Sequence, residues 1–388
     1  MIETVSPERL KQIRLARGLS LDEVARRMDD LVTRQALSKY EIGATQPRPR
    51  TLARLAEALR VSPELLREPS PFTIDVAFRH NSVGISAAER KGMENRLHLA
   101  LEQRVRLQET LHPGVQIGLP IEAFSVETPE DIEAAAEAAR DWMRLGREPV
   151  ANVVETLEAH HVHVFQWEAP VGFEGLSAIV RDNAKRPIGA GIVLRRDGCG
   201  ERHRFTAAHE IGHLFLKVDP NLDVEKTCHR FAGAFLIPAQ TLREEVGETR
   251  TRLLLPELLL LKSRFGISVQ ALLMRLLESS IISRDYTRQC FETIEQHGWK
   301  TNEPDPLPVE RALRFVQSIR RAEAEKLITS QEAAEMLDER DEITPTNAML
   351  TLMTQAGRRA TESARAELRA KGIVPVIWRD GQISEEGK

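Results

Sequence analysis

The sequence predicts an α+β fold that is mainly helical, and three observations carry that expectation. Five short helical patterns fill the first 68 residues, alternating apolar and polar segments lie between 161 and 194, and helical periodicity dominates the remainder. Punctuation by Pro69-Ser70-Pro71 and by Pro304 to Pro308 divides the chain into 1–68, a helical linker region 69–128, a mixed domain 129–300 and a helical tail 301–388.

From Pro7 to Arg17 apolar residues recur at Leu10, Ile13, Leu15 and Ala16, and Gly18 stops the helix. Ser20 with Glu23 forms a capping box that opens a second helix, Leu21 to Met28. Thr33 caps a third, from Arg34 to about Ile42, which Gly43 ends. Pro47 and Pro49 precede a fourth around Leu52, Leu55, Ala56 and Leu59, and Ser62 followed by Pro63 starts a fifth. Two short helices joined by a tight turn inside a small helical unit is the layout of a helix-turn-helix, whose second helix enters the DNA major groove. Thr33-Arg34-Gln35-Ala36-Leu37-Ser38-Lys39-Tyr40-Glu41-Ile42-Gly43, with Pro47 and Pro49 following, resembles the recognition segment of the XRE, or lambda-repressor-like, family. The resemblance implies that Arg34, Gln35, Ser38 and Lys39 meet base edges and phosphates of a double-stranded DNA operator while Leu37 sits in the core. One helix-turn-helix reads only a half-site, so a homodimer is expected. At Asp22 the chain departs from the glutamine common in the family and places an anion toward the phosphate backbone. Thirteen Lys+Arg against ten Asp+Glu over residues 1–69 leave a surplus of three, modest for a DNA-binding surface.

A charged helix is expected from about Ala87 to Leu111, a loop from Pro113 to Pro120, and a helix from Thr128-Pro129-Glu130 through Trp142 to Gly146. After another helix to Ala159, His161-Val162-His163-Val164-Phe165 alternates like a half-exposed strand with both histidines on one face. Gly175 to Arg181 and Ala190 to Leu194 read as two more strands around a turn at Asp182 to Pro187.

Next comes Arg204-Phe205-Thr206-Ala207-Ala208-His209-Glu210-Ile211-Gly212-His213-Leu214-Phe215-Leu216. On a helix, His209 and His213 lie one turn apart on one face, where two imidazoles can grip one metal ion. Zinc held there lowers the pKa of its water toward neutrality, and Glu210 is placed to take the proton as a carbonyl is attacked. Such a site needs a third protein ligand. Glu225, twelve residues past His213 on a helix from Val224 to Leu236, is preferred, with His229 four residues on as a supporting or transition-state donor. The reverse assignment and Asp219 or Asp223 remain alternatives.

Arg204-Phe205-Thr206 leading into His209-Glu210-Ile211-Gly212-His213, then Glu225 to Ala232, Leu236-Ile237-Pro238 and Phe265 to Leu272, resembles the ImmA/IrrE family of zinc metallopeptidases over about residues 130 to 295. The resemblance implies a zincin-like fold with an active-site helix, Zn2+ on His209, His213 and Glu225, and Glu210 as catalytic residue, while His229 enters as a second catalytic residue from its helix spacing alone. Family members often carry asparagine where His229 stands. It further implies a regulatory protease acting on a protein substrate, such as an XRE-type repressor or the chain itself, in response to stress or a mobile-element signal. The competing expectation is a repressor or antitoxin-like protein whose peptidase-like domain only senses or dimerises.

Three cysteines, Cys199, Cys228 and Cys290, support neither a disulfide framework nor a Cys-x-x-Cys zinc site. No run approaches 18 apolar residues and Met1 to Leu10 lacks the order of a signal peptide, so a cytoplasmic protein without membrane association is expected. The tail offers apolar positions at Leu313, Val316 and Ile319, a helix from Pro345 to Lys371, and a hairpin around Arg379-Asp380-Gly381.

Overall fold

A computed structural model of the chain describes residues 4–77, 85–115, 117–170, 172–300, 302–337, 376–379 and 382–385. The chain divides into two units, residues 1–342 and 343–388.

The first unit begins with α1 (Pro7–Ala16), α2 (Leu21–Arg27), α3 (Arg34–Glu41), α4 (Pro49–Leu59) and α5 (Pro63–Arg67). Each of α1, α2, α3 and α5 is capped by the hydroxyl of the residue before it, Ser6, Ser20, Thr33 and Ser62, which accepts a backbone N–H of the first turn. At α2 half of the expected capping box is present: Ser20 accepts from Glu23 N at 3.1 Å, while the Glu23 carboxylate turns toward Arg27. Leu10, Ile13, Val24, Leu37, Leu55 and Leu66 close one apolar core among these helices.

β1 (Thr73–Ala77) follows, then α6 (Ala87–Leu111) and β2 (Phe124–Val126). The stretch read as a helical linker region therefore contributes two strands as well as its helix. Their pairing partners lie far along the chain, which local periodicity does not show. After α7 (Asp131–Trp142) and α8 (Val153–Ala159) come β3 (Val162–Trp167), β4 (Gly175–Arg181) and β5 (Pro187–Arg195). The sheet order is β1-β4-β5-β3, antiparallel except for the parallel β3–β5 pair. α9 (Gly200–Phe215) and the short β6 (Leu216–Val218), which pairs with β2, precede α10 (Val224–Leu236), α11 (Ala239–Val246), α12 (Leu255–Phe265), α13 (Val269–Glu278) and α14 (Arg284–Gln296).

Both faces of the sheet are covered. Val162, Val164, Ile192 and Leu194 pack with α9 and α10 in the largest core, while Phe165, Trp167, Val180 and Val193 meet Leu97, Leu101 and Val105 of α6. Burying each such side chain contributes about 1.5–3 kcal/mol, which seats α6 firmly on the sheet. The half-exposed strand expected at His161 to Phe165 is thus corrected: β3 is buried on both sides because α6 lies over the face that carries His163. The other side of α6 holds the N-terminal helices. Arg9 donates to both oxygens of Glu102 at 2.6 and 2.8 Å, and both side chains are buried.

Residues 302–337, grouped from sequence with the tail, belong to the first unit. α15 (Arg314–Ala324) and α16 (Ser330–Leu337) close a small core with Leu107 of α6. In the second unit β7 (Val376–Arg379) pairs antiparallel with β8 (Gln382–Glu385), the expected hairpin. The helix expected from Pro345 to Lys371 lies outside the described residues. No helix among the described residues is long and apolar enough to cross a membrane.

Candidate metal centre and DNA-reading helix

α9 starts at Gly200 under the chain segment at Leu307, whose carbonyl accepts from Gly200 N at 2.9 Å. Arg204, buried one turn in, donates to the carbonyls of Gly266 and Val150 and pairs with Glu310, so it fixes the helix rather than entering the site. At the other end Gly212 lets α10 approach. A Cβ there would stand 3.1 Å from the Phe231 ring and 3.3 Å from Cys228. This close crossing brings the two helices' polar side chains together.

His209 Nε2 and His213 Nε2 are 2.8 Å apart, and the Glu225 carboxylate lies 3.3 Å from the first and 3.7 Å from the second. The ligand-type atoms of these three residues all fall within 4.8 Å of one another. Two imidazoles and a carboxylate converging from adjacent helices fit a divalent metal ion, with room left for a fourth, non-protein ligand. The alternatives separate by position. Asp219 accepts from Asn221 N, and Asp223 caps α10 by accepting from Lys226 N, a bond that holds its carboxyl below the usual range. His229 stands beside the group, its ring 4.4 Å from that of His209 and stacked on Phe205.

Glu210 lies against the floor of the sheet. A Cβ at Gly175 would stand 2.5 Å from its Oε1, so any larger residue there would push the carboxylate from this position. Glu210, His209, Glu225, His229 and Thr206 line one cleft of about 390 Å3, at whose mouth Arg202 pairs with Glu174. A larger cavity of about 740 Å3 adjoins it through Phe205 and His229 and is walled by Ala271, Met274, Phe291 and Trp299.

Sequence reasoning missed Cys228. Its Sγ is 2.8 Å from His213 Nδ1 and the residue is fully buried. Its spacing of three from Glu225 on a helix was the available signal. With His213 Nε2 directed to a metal, Nδ1 carries the proton and donates to sulfur, which fixes the tautomer and the ring orientation. Cys228→Ala is expected to weaken metal affinity by about ten- to a hundred-fold while Cys228→Ser keeps most of it. Competition with a chromophoric chelator measures this, and an unchanged Cys228→Ala would show that the sulfur orients nothing.

In the N-terminal core, α3 buries Leu37 and exposes Arg34, Gln35 and Lys39, with Ser38 half-buried. Arg14 donates to both Glu41 oxygens and to the Leu19 carbonyl, tying α3 to α1.

Residues 10–66 match the helix-turn-helix family and residues 176–277 match the IrrE N-terminal-like domain, a peptidase-family domain. The chain joins a DNA-binding helix-turn-helix domain to an IrrE N-terminal-like domain. No curated protein matches the chain. The first match spans α1 to α5, and the second runs from β4 to α13 and contains His209, His213 and Glu225. Asp22, the departure from the helix-turn-helix pattern, lies 3.6 Å from Arg34, both exposed. An exposed pair of this kind is worth less than about 1 kcal/mol. Asp22→Asn should therefore tighten DNA binding at low salt by up to about five-fold, an effect that added salt erodes. Fluorescence anisotropy at two salt concentrations checks this, and an unchanged affinity would place Asp22 away from the phosphates.

Proposed function

We propose that this protein is a transcription regulator carrying a zinc-dependent endopeptidase, which cuts a protein partner such as an XRE-type repressor, or itself, when stress or a mobile-element signal arises. The observation that carries the reading is the convergence of His209, His213 and Glu225 beside Glu210 in one cleft. Two imidazoles and one carboxylate are a set that zinc favours in hydrolytic sites. Bound there, zinc polarises the scissile carbonyl and makes water acidic enough to lose a proton near neutral pH.

The chain's own residues perform the remaining work. Glu210, held between the sheet and the two histidines, accepts the proton and later returns it to the leaving amine. His229, propped by Phe205 beside His209, donates to the oxyanion. The adjoining cavity, walled by Met274, Phe291 and Trp299, receives a large apolar side chain next to the scissile bond.

On the DNA side, Arg34, Gln35, Ser38 and Lys39 read and hold the operator, and two chains occupy a two-fold site. Full-length metal-loaded protein incubated with a candidate repressor should yield a shortened fragment that a chelator abolishes. Binding to a fragment of its own promoter should appear in a mobility-shift assay at low salt. Absence of any fragment from repressors encoded nearby, and of self-cleavage, would count against the peptidase; absence of a shift would count against the operator.

A further inference from the structure

A third cavity, of about 260 Å3, opens away from the metal cleft between α6, α8, β3 and α15. Its charged and titratable walls are Arg104 and His112 from the α6 side, Glu158 from α8, His161 and His163 from β3 and its approach, and Arg314 and Arg321 from α15. With the histidines neutral, three cations face one anion.

That anion is already engaged. Glu158 accepts from Arg104 Nη1 at 3.3 Å and from Arg314 N at 3.1 Å. Arg104 is further fixed by the Val164 carbonyl at 3.1 Å and by the rings of Phe165 and Phe315, 4.0 and 4.7 Å from its guanidinium carbon. Arg321 pairs with Glu325 at 2.7 Å, so the surplus positive charge sits on Arg314 at the exposed rim.

The histidines complete the cavity. Gln108 donates its amide to the Ile188 carbonyl, which leaves its oxygen 2.9 Å from His161 Nδ1, so that nitrogen carries the proton. His163 Nε2 is shielded from solvent and has no hydrogen-bond partner. Burial, aided by Arg314 for His161 and by Arg104 for His163, holds both imidazoles below the ordinary histidine value. Once His163 is protonated both ring nitrogens are donors, so its partnerless Nε2 then needs an acceptor, and an anion supplies one together with the missing countercharge.

We propose that this cavity is a binding site for a small dianion bearing oxoanion or carboxylate groups, held by Arg314, His161 and His163. Its position ties it to the DNA-binding domain. Arg104, Leu107 and Gln108 of α6 line the cavity, while Glu102 on the same helix holds Arg9 of the DNA-binding domain. A ligand bound between α15 and α6 touches the helix on which that domain is seated. A bound anion stabilises the imidazolium form, raises the histidine pKa values and so binds with proton uptake. Affinity therefore rises as pH falls.

The test is calorimetric titration of the full-length protein in chloride buffer with sulfate and, separately, succinate. Sulfate keeps one charge state across the range, so its pH dependence reports the protein. Saturable binding of either probe in the millimolar range or below is expected, tighter near pH ~6 than near ~7.5, and about ten-fold weaker in Arg314→Gln. Preference for sulfate assigns a phosphate-like ligand, and preference for succinate a carboxylate. Arg314 is exposed, so its variant is expected to fold; His163→Gln supplies the buried counterpart. Failure of both probes to saturate, or binding unaltered in Arg314→Gln, overturns the proposal. Neither measurement depends on metal or on peptidase activity.

Discussion

Protein purified without chelator is expected to hold about one zinc ion per chain, and His209→Ala, His213→Ala and Glu225→Ala are each expected to emerge metal-poor. The three side chains reach one point from two helices, with Glu225 3.3 and 3.7 Å from the two imidazole nitrogens. Removing one of three protein ligands costs more than the ten- to hundred-fold typical of residues that only orient ligands. His229→Ala is expected to keep most of its metal, because its ring packs on Phe205 and His209 outside the converging group. Elemental analysis of matched preparations, with circular dichroism to confirm folding, reads the result. A metal-replete Glu225→Ala alongside a metal-poor His229→Ala would move the third ligand to His229.

Glu210→Gln is expected to retain zinc, fold and DNA binding while peptide hydrolysis falls by about 10²–10⁴-fold, the usual cost of removing a general base. That loss corresponds to about 3–5 kcal/mol of transition-state stabilisation. The substitution is nearly isosteric, so the amide takes the carboxylate's place against Gly175. In cells, Glu210→Gln should abolish the response to the inducing signal yet keep basal repression through α3. The alternative, a sensor without proteolysis, predicts the opposite pattern: Glu210→Gln responds normally and His213→Ala, which removes the metal, does not. Immunoblots of the repressor at matched protein levels separate the two. A normal response in Glu210→Gln with no shortened product in wild type would end the peptidase reading.

Much of this architecture is set by local rules. The caps Ser20, Thr33 and Ser62, the breaks at Gly18 and Gly43 and the i,i+4 pair His209 and His213 fix helices within a few residues, because helical hydrogen bonds and caps span only three or four positions. The span of α6 and of α10 was readable for the same reason. Tertiary structure decided what depends on distant partners. It brought Glu225 beside the two histidines and left Asp219 and Asp223 accepting from local backbone N–H groups. It brought Cys228 to His213 across the glycine-permitted crossing of α9 and α10, which no residue spacing encodes by itself. It added β1 to β4 at one edge of the sheet, and it laid α6 over the far edge so that β3 is covered on both faces. It also set Arg9 of the DNA-binding domain on Glu102, and the arginines of α6 and α15 around His163, since a count of charges does not say which of them meet. Periodicity specifies an element's length and its apolar face; what that face, and the polar one opposite, packs against is settled only when the whole chain has closed on itself.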